Sequence, residues 1–372
     1  MTVVPIQAPP LLLPYVVDWD VFTAVDIQCS EVTIMHSTRW RQAAAAALGM
    51  FLLILDSHTA LQGASDGIML CIRTVIPSLF PFLFLSSLLT DALSGSKIPL
   101  LTPICRLLKV PIGSEGILVA GFLGGYPVGA QAIQQAYKRK QLSSDQARRM
   151  LAFCNNAGPA FLFGMAASLF PYPWMPWTLW GIHVLSAILV AIVIPREPAG
   201  DLDPMVIKPS GATTILYRSC IIQSKICGWI ILFRILITVL FRWIGWCLPA
   251  IMQIILSGVL ELSNGCYSLL SVDNIGLRFL LCSGFLGFGG FCVMLQTYSA
   301  AEGVDTSLYL PGKLLHTALS ILMASAVQYL LPMNERCRIP YFTIFFPIFI
   351  AGLLFFAALM RNKCGNPETV VV

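Results

Sequence analysis

The sequence predicts an all-α polytopic membrane protein, and three observations carry that prediction. Of 372 residues, 57% are hydrophobic and only 11% are charged. A soluble domain carries about 25% charged residues, so this chain lacks the charge to cover a water-facing surface. The apolar runs are long and continuous, unlike the short alternating segments of a membrane β-barrel. Glycine- and proline-rich stretches interrupt those runs at two places, which predicts re-entrant or broken helices among about seven to eight transmembrane helices.

The first 34 residues hold Asp18, Asp20, Asp26 and Glu31 and no Lys or Arg. A secretory leader would carry basic residues there. From Met35 the text becomes "MHSTRWRQAAAAALGMFLLIL", two arginines followed by an apolar run. The expectation is that translation starts at Met35 and that residues 1–34 are a non-native or disordered extension. Residues 35–64 then form the first span and its loop.

The spans expected by length and hydropathy are 42–57, 67–90, 150–170, 176–194, 214–241, 314–332 and 341–360. Arg39 and Arg41 place the start of the first span inside. Asp56 and Asp66 then fall in an outside loop, and the second span returns to an inside loop with Lys97, Arg106 and Lys109. After "GFLGGYPVGAQAI" (121–133) comes "YKRKQLSSDQARRM", again basic and again inside. With both flanks on one side, segment 113–136 is expected to dip in and return. Irregular backbone survives at that depth only when buried in protein or lining a cavity. Gly121, Gly124, Gly125 and Gly129 allow a sharp turn and close packing, and Pro127 breaks the helix. Tight helix packing through small residues is the other reading of the same glycines.

Ser143 and Gln146 have capping-box spacing at the start of the next helix. That helix runs into "AFCNNAGPAFLFGM", where Asn155 and Asn156 stand in an apolar span beside Gly158 and Pro159. Buried amides at a helix break are binding candidates, or interhelical glue.

"ILVAGFLGGYPVG" (117–129) overlies "LLCSGFLGFGGFC" (280–292), so an internal repeat is expected with Gly284, Gly287, Gly289 and Gly290 answering the first glycines. Before the second copy, "SGVLELSNGCYSLL" carries Glu261, Ser263, Asn264 and Gly265. An intramembrane carboxylate usually faces a cavity or a partner. An odd number of spans between the copies inverts the second unit, the layout of many secondary transporters. In helix 214–241, Lys225 and Arg234 lie deep; either is a candidate partner for Glu261 or for an anionic solute, with snorkelling the other reading.

"GFLGGYPVGAQ" (121–131), with "LSSDQARRMLAFCNNAGPAFLFG" (142–164), resembles the nucleoside-recognition or Gate-domain membrane proteins. Within them it is most similar to the sporulation integral membrane protein (YlbJ, or SpoVV) family. "LELSNG" (260–265) resembles the break in the second Gate repeat, although Gly289 and Gly290 stand where the first repeat has Tyr126 and Pro127. The resemblance implies two inverted Gate-type repeats, 65–195 and 214–362, a cytoplasmic linker 196–213 and a polar tail 363–372. It implies secondary transport of a small organic anion, dipicolinic acid, across the outer forespore membrane during sporulation. Sporulation membrane proteins are the partners it brings to mind.

A nucleoside or other polar-solute permease fits the same amides, Gln131 included, and a non-transporting sporulation scaffold would use the glycines only for packing. The catalytic motifs HExxH and a P-loop are missing from the sequence, so an enzyme is not expected. The twelve cysteines show no CxxC and the four histidines lie far apart, so no metal site or cofactor is expected. Nucleic acid is not an expected partner; lipid and a small solute are.

Overall fold

A computed structural model describes residues 29–93, 98–195 and 210–330. The expected span 341–360, the linker up to residue 209, the polar tail and residues 1–28 lie outside the described residues. Those described are helical, with no strand among them. Contacts divide the chain at Ser57. The first unit contributes the Cys29–Leu55 helix, which begins upstream of Met35.

All other described elements belong to the second unit, where five helices are long and apolar enough to cross a membrane: Ser57–Leu93, Trp174–Val193, Ala212–Cys247, Ile275–Ala300 and Tyr309–Leu330. The Ser57–Leu93 and Ala212–Cys247 helices turn most of their surface outward, with Ile72, Leu85, Leu232 and Leu236 exposed. Ile275–Ala300 is largely enclosed. A helix that is apolar all round and buried belongs at the centre of a bundle, and this one packs along Tyr309–Leu330.

Three sequence expectations change. The second span starts at Ser57 rather than 67, so Asp66 lies inside a helix and not in a loop. Its carboxylate, partly exposed, pairs with Arg234 at 2.9 Å. Gly63 and Gly67 bring the two backbones together here; a Cβ on either would lie within 3.0 Å of Ile235 Cα or Ile231 Cα. This is the small-xxx-small spacing that permits close helix crossing.

Residues 150–170 are not one span. The helix Ser144–Phe153 stops, residues 154–158 run without helix, and Pro159–Gly164 resumes it. Pro159 lacks the N–H that a continuous helix would need and sits instead at a helix start, where that N–H is dispensable. The Ser143–Gln146 capping box forms as expected, with hydrogen bonds of 3.2 and 2.9 Å.

The third change concerns the repeat. A helical hairpin followed by a broken helix occurs twice. The first hairpin joins Glu115–Gly124 to Val128–Lys138, and its legs touch where Gly129 meets the Cα of Gly121. Its broken helix is Ser144–Gly164. The second hairpin joins Ala250–Leu260 to Leu262–Ser268 through extended Glu261, and Gly265 abuts Gly258. Its broken helix is Ile275–Ala300, interrupted at Gly289. The two "GFLG" copies are therefore not equivalent. The first ends a hairpin leg; the second ends the first half of the broken helix, just before Gly289, and there Gly284 and Gly287 pack against Ile321 and Thr317. Each copy is the last turn before a glycine of positive φ, Gly125 or Gly289, and both use their glycines for close packing.

Arg149 fastens the ends of two elements. It is buried and donates to the carbonyls of Leu108 (2.8 Å), Lys109 (3.2 Å), Ala191 and Ile194. Those carbonyls close the Thr102–Leu108 and Trp174–Val193 helices. A guanidinium there fills acceptors that helix C-termini leave open.

Candidate functional site

The hairpin tips and the helix breaks meet. The first hairpin turns through Gly125, Tyr126 and Pro127. Gly125 has φ +77°, a conformation that disfavours a side chain, and the Tyr126–Pro127 peptide is cis. A Cβ on Gly158, in the first helix break, would lie 3.0 Å from Gly125 Cα. Gly121 and Gly129 press on the Cys154 carbonyl of the same break. At the second break a Cβ on Gly290 would stand 3.1 Å from Leu262 N and 3.3 Å from Glu261 Cα. Gly289 meets the Tyr126 hydroxyl. Thus Tyr126 of the first hairpin touches the break of the second broken helix.

Between these parts lies a partly open cavity of about 50 Å³. Gly125, Tyr126, Gly158, Glu261, Ser263 and Gln296 supply its polar or backbone wall; Leu79, Leu83, Phe161, Ile226, Ile230 and Val293 supply the apolar remainder. An apolar pocket with a few convergent polar groups is the usual form of a small-solute site.

Glu261 is 2% exposed and does not meet water at an interface. Its carboxylate accepts from Ser263 N (2.9 Å), Asn264 N (2.6 Å) and Asn264 Nδ2 (2.8 Å). It thereby caps the short helix behind it. Arg234 does not reach Glu261 directly. It donates to Asn264 Oδ1 at 3.2 Å and to Asp66 Oδ2 at 2.9 Å. The series Asp66–Arg234–Asn264–Glu261 ties both long outer helices to the second hairpin tip.

The two amides of the first break do different jobs. Asn155 Oδ1 accepts from Ala130 N (3.3 Å), while its Nδ2 donates to Thr297 Oγ1 (2.8 Å). Asn156 Nδ2 donates to Phe153 O (2.7 Å), which aims its Oδ1 at Lys313 Nζ, 3.1 Å away. Lys313 also donates to the Tyr126 hydroxyl at 3.0 Å, and its ammonium lies 5.0 Å from the Tyr126 ring centre and 5.8 Å from that of Tyr309. It is 1% exposed. Behind it, His183 Nε2 accepts from Ala157 N at 3.2 Å, and the rings of His183 and His316 stack at 4.6 Å.

Several sequence candidates stand elsewhere. Lys225 is exposed on the outer face of its helix, so snorkelling describes it and solute contact does not. Gln131 lines a second, more polar cavity with Asp91, Arg139 and Arg218. Gly121, Gly129, Gly265, Gly284 and Gly287 serve backbone approach. Gly124 and Gly125 line the central cavity, Pro127 starts the returning hairpin leg, and Gly289 and Gly290 join the two tips.

The residues missed from sequence are Lys313, Thr297, Gln296, Tyr309, His183 and His316. The signal for Lys313 lies in "PGKLLHTAL", where Lys313 and His316 sit one turn apart at the start of an apolar helix.

These features define an integral membrane protein whose centre is built from two hairpins and two broken helices. Over 117 residues the chain is 30% identical to the sporulation integral membrane protein YlbJ of Bacillus subtilis (strain 168). That match covers 31% of this chain and 29% of the relative, so the chain spans under a third of that protein's length. No family model and no solved structure matches the chain.

Proposed function

We propose that this protein is a secondary transporter of a small organic solute, and that its central cavity is the solute site. One observation carries the reading: both hairpin tips and the first helix break line a single cavity, and the second break packs on both tips. Discontinuous helices that meet between two similar units are the usual binding equipment of secondary transporters. The two hairpin-and-broken-helix units are read here as inverted Gate-type repeats, which would let one rock against the other around a fixed site.

The partial likeness to a sporulation integral membrane protein, with the Gate-type motifs, directs the choice of solute. Dipicolinic acid, a flat aromatic dianion, is the first candidate, with the outer forespore membrane as the location. Lys313 behind Tyr126 supplies a positive charge to the site, and the apolar wall suits a ring. A nucleoside is the second candidate, favoured by the mixed lining: Glu261, Ser263 and Gln296 offer neutral hydrogen bonding and an acid beside apolar side chains.

The test is uptake by proteoliposomes holding the purified full chain, with labelled dipicolinate and labelled uridine in parallel. A cavity-filling variant, Val293→Trp, is run beside the wild type. Saturable uptake of either solute, abolished in a folded Val293→Trp protein, supports the reading. Uptake that survives the blocked cavity, or none by the wild type, overturns it.

A further inference from the structure

Lys313 is a buried amine surrounded by neutral groups. Its hydrogen-bond partners are the Tyr126 hydroxyl and the Asn156 amide oxygen. Among the described residues it has no ion pair. A buried ammonium is normally held by a carboxylate, because removing a charge from water is costly without one. Among the described residues the buried acids are committed elsewhere: Glu261 to three N–H donors, and Glu115 to Gly113 N and the Thr102 hydroxyl.

The titratable groups that face Lys313 can be named element by element. The first hairpin gives Tyr126, the first broken helix gives Cys154, and the Trp174–Val193 helix gives His183. Its own helix gives Tyr309 and His316. On the second broken helix Tyr298 packs on Tyr309. None of these pins either protonation state with a negative charge.

The position of Tyr126 matters here. It lines the cavity, which Lys313 does not, and its hydroxyl holds Lys313. A phenol can accept a hydrogen bond from an ammonium or donate one to an amine. The Lys313–Tyr126 bond can therefore persist in both protonation states with its direction reversed. Asn156 cannot reverse, since its Nδ2 is held by Phe153 O.

We propose that Lys313 is the proton-carrying residue of the transport cycle, loaded when an anion occupies the cavity and unloaded when it leaves. The inference rests on the transporter reading above. In the unloading step one Nζ–H bond breaks, its electron pair stays on nitrogen, and the proton passes through the Tyr126 hydroxyl to cavity water. Loading is the reverse. An anion beside Tyr126 favours the ammonium by Coulomb attraction. By linkage, the proton then favours the anion to the same degree. Solute and proton move together.

The experiment uses the full chain in proteoliposomes loaded with a pH-sensitive dye, with labelled dipicolinate as the probe. An imposed inward acid gradient is expected to raise uptake about 5-fold or more, and uptake is expected to acidify the lumen. Lys313→Arg keeps a charge that does not titrate; it is expected to retain dipicolinate binding but lose the response to the gradient. Lys313→Met is the second variant, expected to lose the lumen acidification. A gradient response that survives in both folded variants overturns the proposal while the transporter reading stands. Wild-type uptake indifferent to the gradient does the same. No uptake by the wild type under any gradient overturns both.

Discussion

Asn155 Nδ2 donates to Thr297 Oγ1 at 2.8 Å across 142 positions of sequence. Both side chains are fully buried, and the bond joins the break of the first broken helix to the last turns of the second. It is a direct polar contact between the two hairpin-and-broken-helix units. Its loss should be felt as stability. Asn155→Ala strands the Ala130 N–H and removes one partner of the Thr297 hydroxyl, which keeps Val293 O and the Tyr309 hydroxyl, and is expected to cost about 1–3 kcal/mol. Thr297→Val should cost less. The double variant should cost less than the sum, because each single change already breaks the shared bond. Thermal unfolding in detergent checks all three.

Glu261 holds the second hairpin tip as an acceptor only. In Glu261→Gln one oxygen becomes an amide NH2, which confronts the N–H groups of Ser263 or Asn264. The cost expected is about 1–3 kcal/mol, localised at the turn. Protease sensitivity near residue 261 should rise in the variant while the first hairpin stays protected; hydrogen exchange resolves the two.

The Arg234–Asp66 pair is partly exposed, at 24% and 45% for the two side chains. A pair so open to solvent is worth about 0–1 kcal/mol, so Asp66→Asn should barely shift the melting temperature. Arg234→Met should do more, because it also removes the donor to Asn264 Oδ1. The prediction is an asymmetry between partners of one ion pair, read by the same unfolding assay.

Arg149 offers a contrast between fold and site. Arg149→Leu leaves four carbonyl oxygens without that donor and is expected to cost about 3 kcal/mol or more. Whatever fraction still folds should take up solute at the wild-type rate per folded molecule. A variant that folds well but does not transport would contradict this assignment.

Gly125 and Gly289 each hold positive φ. Gly125→Ala is expected to cost about 1 kcal/mol or more, and Gly289→Ala adds a clash with the Tyr126 hydroxyl. The second should therefore disturb solute uptake more than stability alone explains. Uptake normalised to folded protein separates the two effects.

The class of protein and most of its long helices were legible because apolar length is a one-dimensional signal. The break at Asn155–Pro159 was legible too, since amides beside proline contradict a plain span. The bounds of the two hairpins were not. The correspondence of the two units lies in backbone shape, two turns and two interruptions, and the repeated "GFLG" marks close packing at two places. Lys225 and Lys313 show the other limit. Both are lysines in apolar helices, and composition cannot say which one points outward. Lys313 is buried because Gly312 lets its helix press on Ala152, a contact between segments far apart in sequence. Asp66 was misplaced for the same reason: its partner Arg234 comes from another helix.

At about 1.5 Å per residue, the 37-residue Ser57–Leu93 helix is about 55 Å long. The hydrocarbon layer is about 30 Å thick. Tilts of up to about 40° do not absorb that difference, so part of the helix stands at headgroup level or beyond. The charge-free stretch between Arg73 and Asp91 is the part suited to oil. The segment from His58 to Arg73 is then the part that emerges, carrying the Gly63 and Gly67 crossing and Asp66 with it. A thicker or thinner bilayer would act on the apolar part between Arg73 and Asp91, and that part carries Leu79 and Leu83 of the cavity wall.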